Sequence, residues 1–268
     1  MGTQLVRGKT TKILVLNPNS SKAMTDGMNV VIGSIDLPYS TEIHTYTGPE
    51  GAPASINDAK DLEESTEAVL KDLETSYPNG VVDYDGVVVA CYSVHPLVPA
   101  MQHNHTKYPK AVTGIFEASV LAALSVLAYG EAWGIVTTGK FWEEHLATGV
   151  GNFLGAETRT PGVENPKFAG VESTGLNASD FHHGVDPAIV RRKLKEATKR
   201  LLSKGHIRCI VMGCAGMAGL EDIIREAANE EKGEEFAYSQ LHVVDGVRVA
   251  IMQLEHTIKY QRLLPGKP

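Results

Sequence analysis

The sequence predicts an α/β protein made of two similar halves, on three observations. Apolar runs of strand length alternate with helical patterns along all 268 residues, as in parallel sheets whose strands are joined by helices. Two runs end on a thiol followed by small or hydroxylated residues: Gly86-Val87-Val88-Val89-Ala90-Cys91-Tyr92-Ser93 and Cys209-Ile210-Val211-Met212-Gly213-Cys214-Ala215-Gly216. Two others break into polar turns: Lys12-Ile13-Leu14-Val15-Leu16-Asn17-Pro18-Asn19-Ser20-Ser21 and Ala132-Trp133-Gly134-Ile135-Val136-Thr137-Thr138-Gly139-Lys140. Asn17 precedes Cys91 by 74 positions and Thr137 precedes Cys214 by 77. Each half therefore runs strand, polar loop, long intervening segment, strand, thiol, the mark of an internal repeat.

Taken in order, residues 1–11 are polar and basic, lack the apolar stretch of a signal peptide, and are expected to be a short tail. The first strand leads to a helix over 22–32, with Ser20 and Ser21 as candidate caps. Residues 42–47 alternate as a strand, and Gly48-Pro49-Glu50-Gly51-Ala52-Pro53 is a punctuated loop. A helix over 58–74 carries the stripe Leu62, Val69, Leu70 and Leu73. Tyr77-Pro78-Asn79-Gly80 ends it ahead of the first thiol strand. Pro96 and Pro99 oppose a long helix directly after Cys91, leaving a loop or short helix over 95–105. A strand over 111–115 enters Glu117-Ala118-Ser119, and a helix follows over 119–129. The second half opens with a strand over 133–136 and a helix over 141–153. Residues 157–178 are loop-rich, with one strand near 168–172. Pro187 sits in the first turn of an amphipathic helix over 188–203. The second thiol strand, a helix near 220–228, an acidic spacer over 229–235, the run Val243-Val244-Asp245-Gly246 and a helix ending near 264 complete the chain.

The composition, 43% hydrophobic and 21% charged with 26 Gly and 13 Pro, is that of a globular protein. A formal net charge of -7 gives no general attraction to nucleic acid or to anionic membrane. The Lys and Arg cluster of the 188–203 helix has no interleaved aromatic residues and is expected to be a solvated face. No run approaches the 18 or so apolar residues of a membrane span. Three cysteines, Cys91, Cys209 and Cys214, cannot all pair, which points to a reducing, cytoplasmic compartment. The sequons at Asn19, Asn104 and Asn177 are then chance matches.

The chain has no Walker loop, dinucleotide glycine fingerprint, His-Glu-x-x-His or Gly-x-Ser-x-Gly. His103 with His105, and His182 with His183, resemble metal ligands but have no evident third ligand, so no metal is expected. Cys209 starts its strand and is assigned to the core. Cys91 and Cys214 stand where parallel strands leave their sheet, the usual place for ligand chemistry. A buried structural cysteine is the competing explanation for each taken singly. Two facing thiols suit inversion of a stereocentre, one removing a proton from one face and the other returning it on the opposite face. Backbone N–H groups beside the small residues after each cysteine would favour the thiolate. A fall of modest size from the usual pKa of about 8.5 then suffices, with no metal or pyridoxal cofactor. Asn19, Ser20, Ser93, Thr137 and Thr138 supply uncharged groups for a substrate's carbonyl and N–H groups and for an enolate oxygen; turn and capping roles are the alternative.

Five motifs occur in a telling order: the strand ending Asn17-Pro18-Asn19-Ser20-Ser21, then Ala90-Cys91-Tyr92-Ser93, then Thr113-Gly114-Ile115-Phe116-Glu117-Ala118, then Val136-Thr137-Thr138, then Met212-Gly213-Cys214-Ala215-Gly216-Met217. In these the chain resembles the aspartate/glutamate/hydantoin racemase superfamily, in particular the fungal members of its hydantoin and allantoin racemase branch. The resemblance implies two flavodoxin-like, three-layer αβα domains related by a pseudo-twofold axis, with the active site in the cleft between them. It implies that the last segment returns to the first domain, giving 1–113 plus 238–268 against 114–237. It further implies a homo-oligomeric, cofactor-free racemase with Cys91 and Cys214 catalytic and Asn17, Asn19, Ser20, Ser93, Glu117, Thr137, Thr138, Ala215 and Gly216 around the substrate. Amino-acid racemases of the superfamily carry an acidic residue in place of Asn17 and a Thr-His pair in place of Ala215-Gly216. A neutral pocket fits a hydantoin ring, which has neither α-ammonium nor carboxylate and whose carbonyls and ring nitrogens ease loss of the C5 proton. The expected substrate is thus a small neutral cyclic ureide, a 5-substituted hydantoin with allantoin among the candidates, its substituent met by residues 95–105 and 141–153. A non-catalytic metabolite-binding protein and a superfamily decarboxylase or isomerase are the alternatives; a decarboxylase needs only one of the two thiols.

Overall fold

The computed structural model describes residues 9–38, 40–155, 166–181 and 184–264. The run Ile13, Leu14, Val15 and Leu16 is fully buried in β1 (Thr11–Asn17). β1 pairs in parallel with β2 (Thr41–Thr47) and β3 (Gly86–Val89), and β4 (Ala111–Gly114) extends the sheet beyond β3. The strand order is β2-β1-β3-β4. The second half repeats it with β5 (Ala132–Thr137), β6 (Phe168–Ser173), β7 (Ile207–Gly213) and β8 (His242–Asp245), in the order β6-β5-β7-β8 and again all parallel. The registers match as well. Leu16 lies opposite Val89 and Val136 opposite Met212, so Asn17 corresponds to Thr137 and Cys91 to Cys214.

Both faces of each sheet are covered, which is why the strands read as continuous apolar runs instead of alternating ones. In β1, Leu14 and Leu16 pack with Val69 and Leu73 of α2 (Ala59–Ser76) and Leu97 and Met101 of α3 (Leu97–Gln102). Ile13 and Val15 face the other way, toward Met28 of α1 (Lys22–Gly33) and Ile251 and Leu254 of α8 (Gly246–Leu263). In the second sheet, Ile210 and Met212 pack with Leu194 and Leu201 of α6 (Pro187–Leu202) and Ile224 of α7 (Glu221–Lys232). Trp133 and Ile135 face Leu146 and Val150 of α5 (Phe141–Phe153).

The halves exchange their last helices. α4 (Ile115–Val126) leaves the end of β4 and packs on β7 and β8, while α8 leaves β8 and packs on β1, β3 and β4. The two helices also pack on each other, closely enough that a Cβ at Gly246 would stand 3.1 Å from Ser119 Oγ. α4 is apolar around most of its circumference because it is buried between elements of both halves. The core running through α4 and α8 is continuous between the sheets.

Three boundaries differ from those expected. The chain crosses back to the first half at the β8–α8 junction, not near 237, because residues 242–245 complete the second sheet beside β7. α4 begins at Ile115, four residues early: Gly114 is its extended N-cap, and Glu117, its third residue, turns back toward the Gly114 N–H as in a capping box. α7 runs on to Lys232, taking in the start of the acidic spacer. Glu230 and Glu231 there meet Lys195 and Lys199 of α6, and Glu226 meets Arg191. The basic face of α6 is thus turned to an acidic helix.

Candidate active site

Cys91, two residues beyond the paired end of β3, and Cys214, directly after β7, line a single cavity. Asn19, Thr138 and Ala215 lie on the same wall, and the rest of it is largely apolar: Met24 of α1, Ile56, Tyr92, Trp142 of α5 and Ala178. The cavity measures about 30 Å³, room for one or two ordered waters.

The polar loop after β1 is built by its own side chains. The Asn17 amide donates to Asn19 Oδ1 (3.0 Å), to Thr25 Oγ1 (3.0 Å) and to the Ser21 carbonyl (3.2 Å), and Asn17 is buried away from the cavity. Asn19 Oδ1 in turn accepts the Ser21 N–H (2.9 Å). Ser21 caps α1 by accepting the Met24 N–H (3.3 Å). Ser20 does not cap; its hydroxyl donates to the Ala52 carbonyl (2.9 Å) and ties the loop to the 48–53 segment. On the far side Thr137 is fully buried and donates to the Gly213 carbonyl (2.7 Å), stapling the end of β5 to the residue before Cys214.

Of the eleven residues proposed from sequence, Asn19, Cys91, Thr138, Cys214 and Ala215 reach the cavity, whereas Asn17, Ser20, Ser93, Glu117, Thr137 and Gly216 stand behind it. Two of these support the thiols: Ser93 Oγ donates to Cys91 Sγ (3.4 Å), and the Gly216 N–H to Cys214 Sγ (3.3 Å). The expected substituent wall is half corrected. α5 supplies Trp142, but the 95–105 segment sends Leu97, Val98 and Met101 into the core under the first sheet. Met24, Ile56 and Ala178 take its place; as ordinary apolar residues on separate elements they carry no sequence signal.

Both cysteines are half-buried and line the cavity. Burial pushes Cys91 up to about 12, with the facing Cys214 and Glu117 adding to the rise and Ser93 opposing it. Burial also pushes Cys214 up, to about 11, against the N–H groups of Gly216 and Met217. This reverses the expected fall, because the closed apolar wall removes the water that would solvate a thiolate. Glu117 is raised to about 7 by burial, opposed by its own N–H and that of Gly114. His95 is lowered to about 3 by burial. Its Nδ1 accepts the Leu97 N–H (3.3 Å), leaving the proton on Nε2, which faces Ser65 Oγ at 3.5 Å; Ser65 donates onward to the Pro18 carbonyl (2.9 Å). A neutral His95 thereby links the loops that follow β1 and β3. His103 bonds to the Pro99 carbonyl through Nδ1, and His182 and His183 lie outside the described residues.

A family model described as Asp/Glu/Hydantoin racemase matches residues 13–254. A hydantoin racemase from Pseudomonas sp. (strain NS671) is 26% identical over 215 residues, covering 80% of this chain and 77% of its own. Protein DCG1 of Saccharomyces cerevisiae is 30% identical over 219 residues, covering 79% of this chain and 85% of its own. Among solved structures, an allantoin racemase from Klebsiella pneumoniae has the same fold, with a TM-score of 0.71 at 24% identity over 94% of this chain and 89% of that one.

Proposed function

Because the chain belongs to the Asp/Glu/hydantoin racemase family, we propose that it inverts the C5 centre of 5-substituted hydantoins, allantoin among them, with Cys91 and Cys214 as the two acid/base groups. The observation that carries this is the pair of thiols on one neutral, largely apolar cavity at the carboxyl ends of both sheets. One thiolate takes the C5 proton, and the electron pair of the broken C–H bond passes into the ring carbonyl. The opposite thiol then gives its proton to the other face of C5, so each turnover exchanges the thiolate and the thiol. Asn19 and Thr138 place polar side chains on the wall and are assigned to the ring's carbonyl and N–H groups. Among the described residues the wall carries no charged side chain, which suits a neutral ring and leaves the ammonium and carboxylate of a free amino acid unpaired.

A thiol at about 11 is ionised in roughly one molecule in 10⁴ at pH 7, but is a stronger base once ionised. No metal or pyridoxal group is called for, since the ring's own carbonyls stabilise the carbanion. A cavity of about 30 Å³ does not hold a ring, so substrate enters as Met24, Ile56 and Trp142 move aside or as the halves part.

The test is polarimetry on single enantiomers of allantoin, benzylhydantoin and isopropylhydantoin in deuterated buffer, with metal chelated. Wild type racemises; Cys91→Ser and Cys214→Ser do not, and each exchanges the C5 proton of one enantiomer only. Full activity in either variant ends the two-thiol mechanism.

A further inference from the structure

We propose that Glu117 is a positioning residue that makes the two thiols unequal: its carboxyl, on the Cys91 side of the site and outside the cavity, keeps Cys91 protonated, so that Cys214 is the first of the two to ionise. The proposal rests on the two-thiol site above and concerns its protonation, not its substrate.

The geometry behind the two cysteines differs although the backbone repeats. Val89 pairs with Gly114 before α4, and Met212 pairs with Asp245 before α8. Glu117 and Arg248 are therefore equivalent, each the third residue of its helix. Arg248 turns to the surface, toward Glu221 (3.7 Å) and Ser34 (3.3 Å). Glu117 turns inward. It lies so close under the end of β4 that a Cβ at Gly114 would collide with its Oε2, and Oε2 is buried without a hydrogen-bond partner among the described residues. A buried carboxylate with one oxygen left unpaired is costly, and a second anion on the nearby Cys91 raises that cost. Cys214 has different surroundings: its Sγ accepts the Gly216 N–H (3.3 Å) at the start of the turn Ala215–Met217. Such donors favour a thiolate; Cys91 has one hydroxyl.

The titratable groups facing Glu117 and Cys91 fit this division. From the end of β3 come Cys91 itself and Tyr92, both pushed up by burial and further by Glu117, and across the cleft comes Cys214, whose charge also raises Cys91. On α8, Asp245 is engaged in capping through the Arg248 N–H. On α3, the contact is the apolar Val98.

The test needs no substrate. Iodoacetamide labelling of the full-length protein is followed by peptide mass spectrometry between pH 6 and 9, for wild type and Glu117→Gln, with the core residue Cys209 as internal reference. Wild type is expected to label Cys214 several-fold faster than Cys91 above pH 7, where the thiol that ionises first reacts first. Glu117→Gln should raise Cys91 labelling several-fold at pH 8.5, leave it unchanged at pH 6, where the carboxyl is already protonated, and leave Cys214 unaffected. Equal labelling of the two thiols in wild type, or a Cys91 rate untouched by the substitution at pH 8.5, overturns the proposal. Should the variant not fold, wild type alone decides: the Cys91 rate must climb less steeply across pH 7 than the Cys214 rate, and parallel curves overturn it. A protein with unequal thiols that fails in polarimetry loses the racemase assignment and keeps this one.

Discussion

Replacing Thr137 by valine separates two roles for one hydroxyl. The resemblance implied a substrate contact for Thr137, whereas its fully buried side chain donates to the Gly213 carbonyl at 2.7 Å, one residue before Cys214. Valine keeps the shape and removes the donor. Stranding one partner of a buried hydrogen bond costs about 1–3 kcal/mol. At about 2–4 °C per kcal/mol for a chain of this size class, Tm falls by about 2–12 °C. Thr137→Ser keeps the bond and loses one buried methyl, a cost of about 1 kcal/mol, so it should lie between wild type and Thr137→Val. Activity should follow the same order, because a displacement of about 1 Å at a reacting group costs on the order of 100-fold. Thermal unfolding by circular dichroism gives Tm, and polarimetry gives kcat and KM. A Thr137→Val protein with wild-type Tm and a raised KM would refute the staple and restore the hydroxyl to the substrate.

Acid titration should expose two opposing buried groups. His95 has its pKa lowered from 6.5 to about 3, so between those values the unfolded chain holds the extra proton and stability falls as pH falls, by about 1.4 kcal/mol per pH unit. Glu117 is raised from 4.5 to about 7, so there the folded state holds the proton and stability grows as pH falls. Urea unfolding at pH 4.5, 5.5 and 6.5 should show the gap between wild type and His95→Gln narrowing on acidification and that of Glu117→Gln widening; parallel curves contradict both assignments. Gly48→Ala places a Cβ 2.9 Å from the Pro18 and Asn19 carbonyl oxygens and should cost about 1–3 kcal/mol while shifting Asn19. Gly151→Ala in α5 meets nothing within 4 Å and should gain up to about 1 kcal/mol, so their Tm shifts should have opposite signs. Trp142→Phe trims the cavity wall and should move the kcat/KM ratio of benzylhydantoin to isopropylhydantoin by about tenfold; an unchanged ratio removes Trp142 as the residue that meets the substituent.

The features legible from the residues alone are local or repeated. Strands buried on both faces must be continuously apolar, so Ile13 to Leu16 and Ile210 to Met212 declare themselves, and the thiols that follow them mark the sheet ends. The helix over 141–153 was legible to the residue, while α4 was misread by four residues because its start depends on how Glu117 folds back on Gly114. Tertiary structure decided which polar residues were free to meet a ligand. Asn17 and Thr137 look like binding groups until packing supplies Thr25 and the Gly213 carbonyl as their partners. It also decided the wall, since Met24, Ile56 and Ala178 converge from elements far apart in the chain. The titration of Cys91 and Cys214 was likewise beyond local pattern. Desolvation depends on everything that surrounds a thiol, and most of what surrounds these two comes from the rest of the fold.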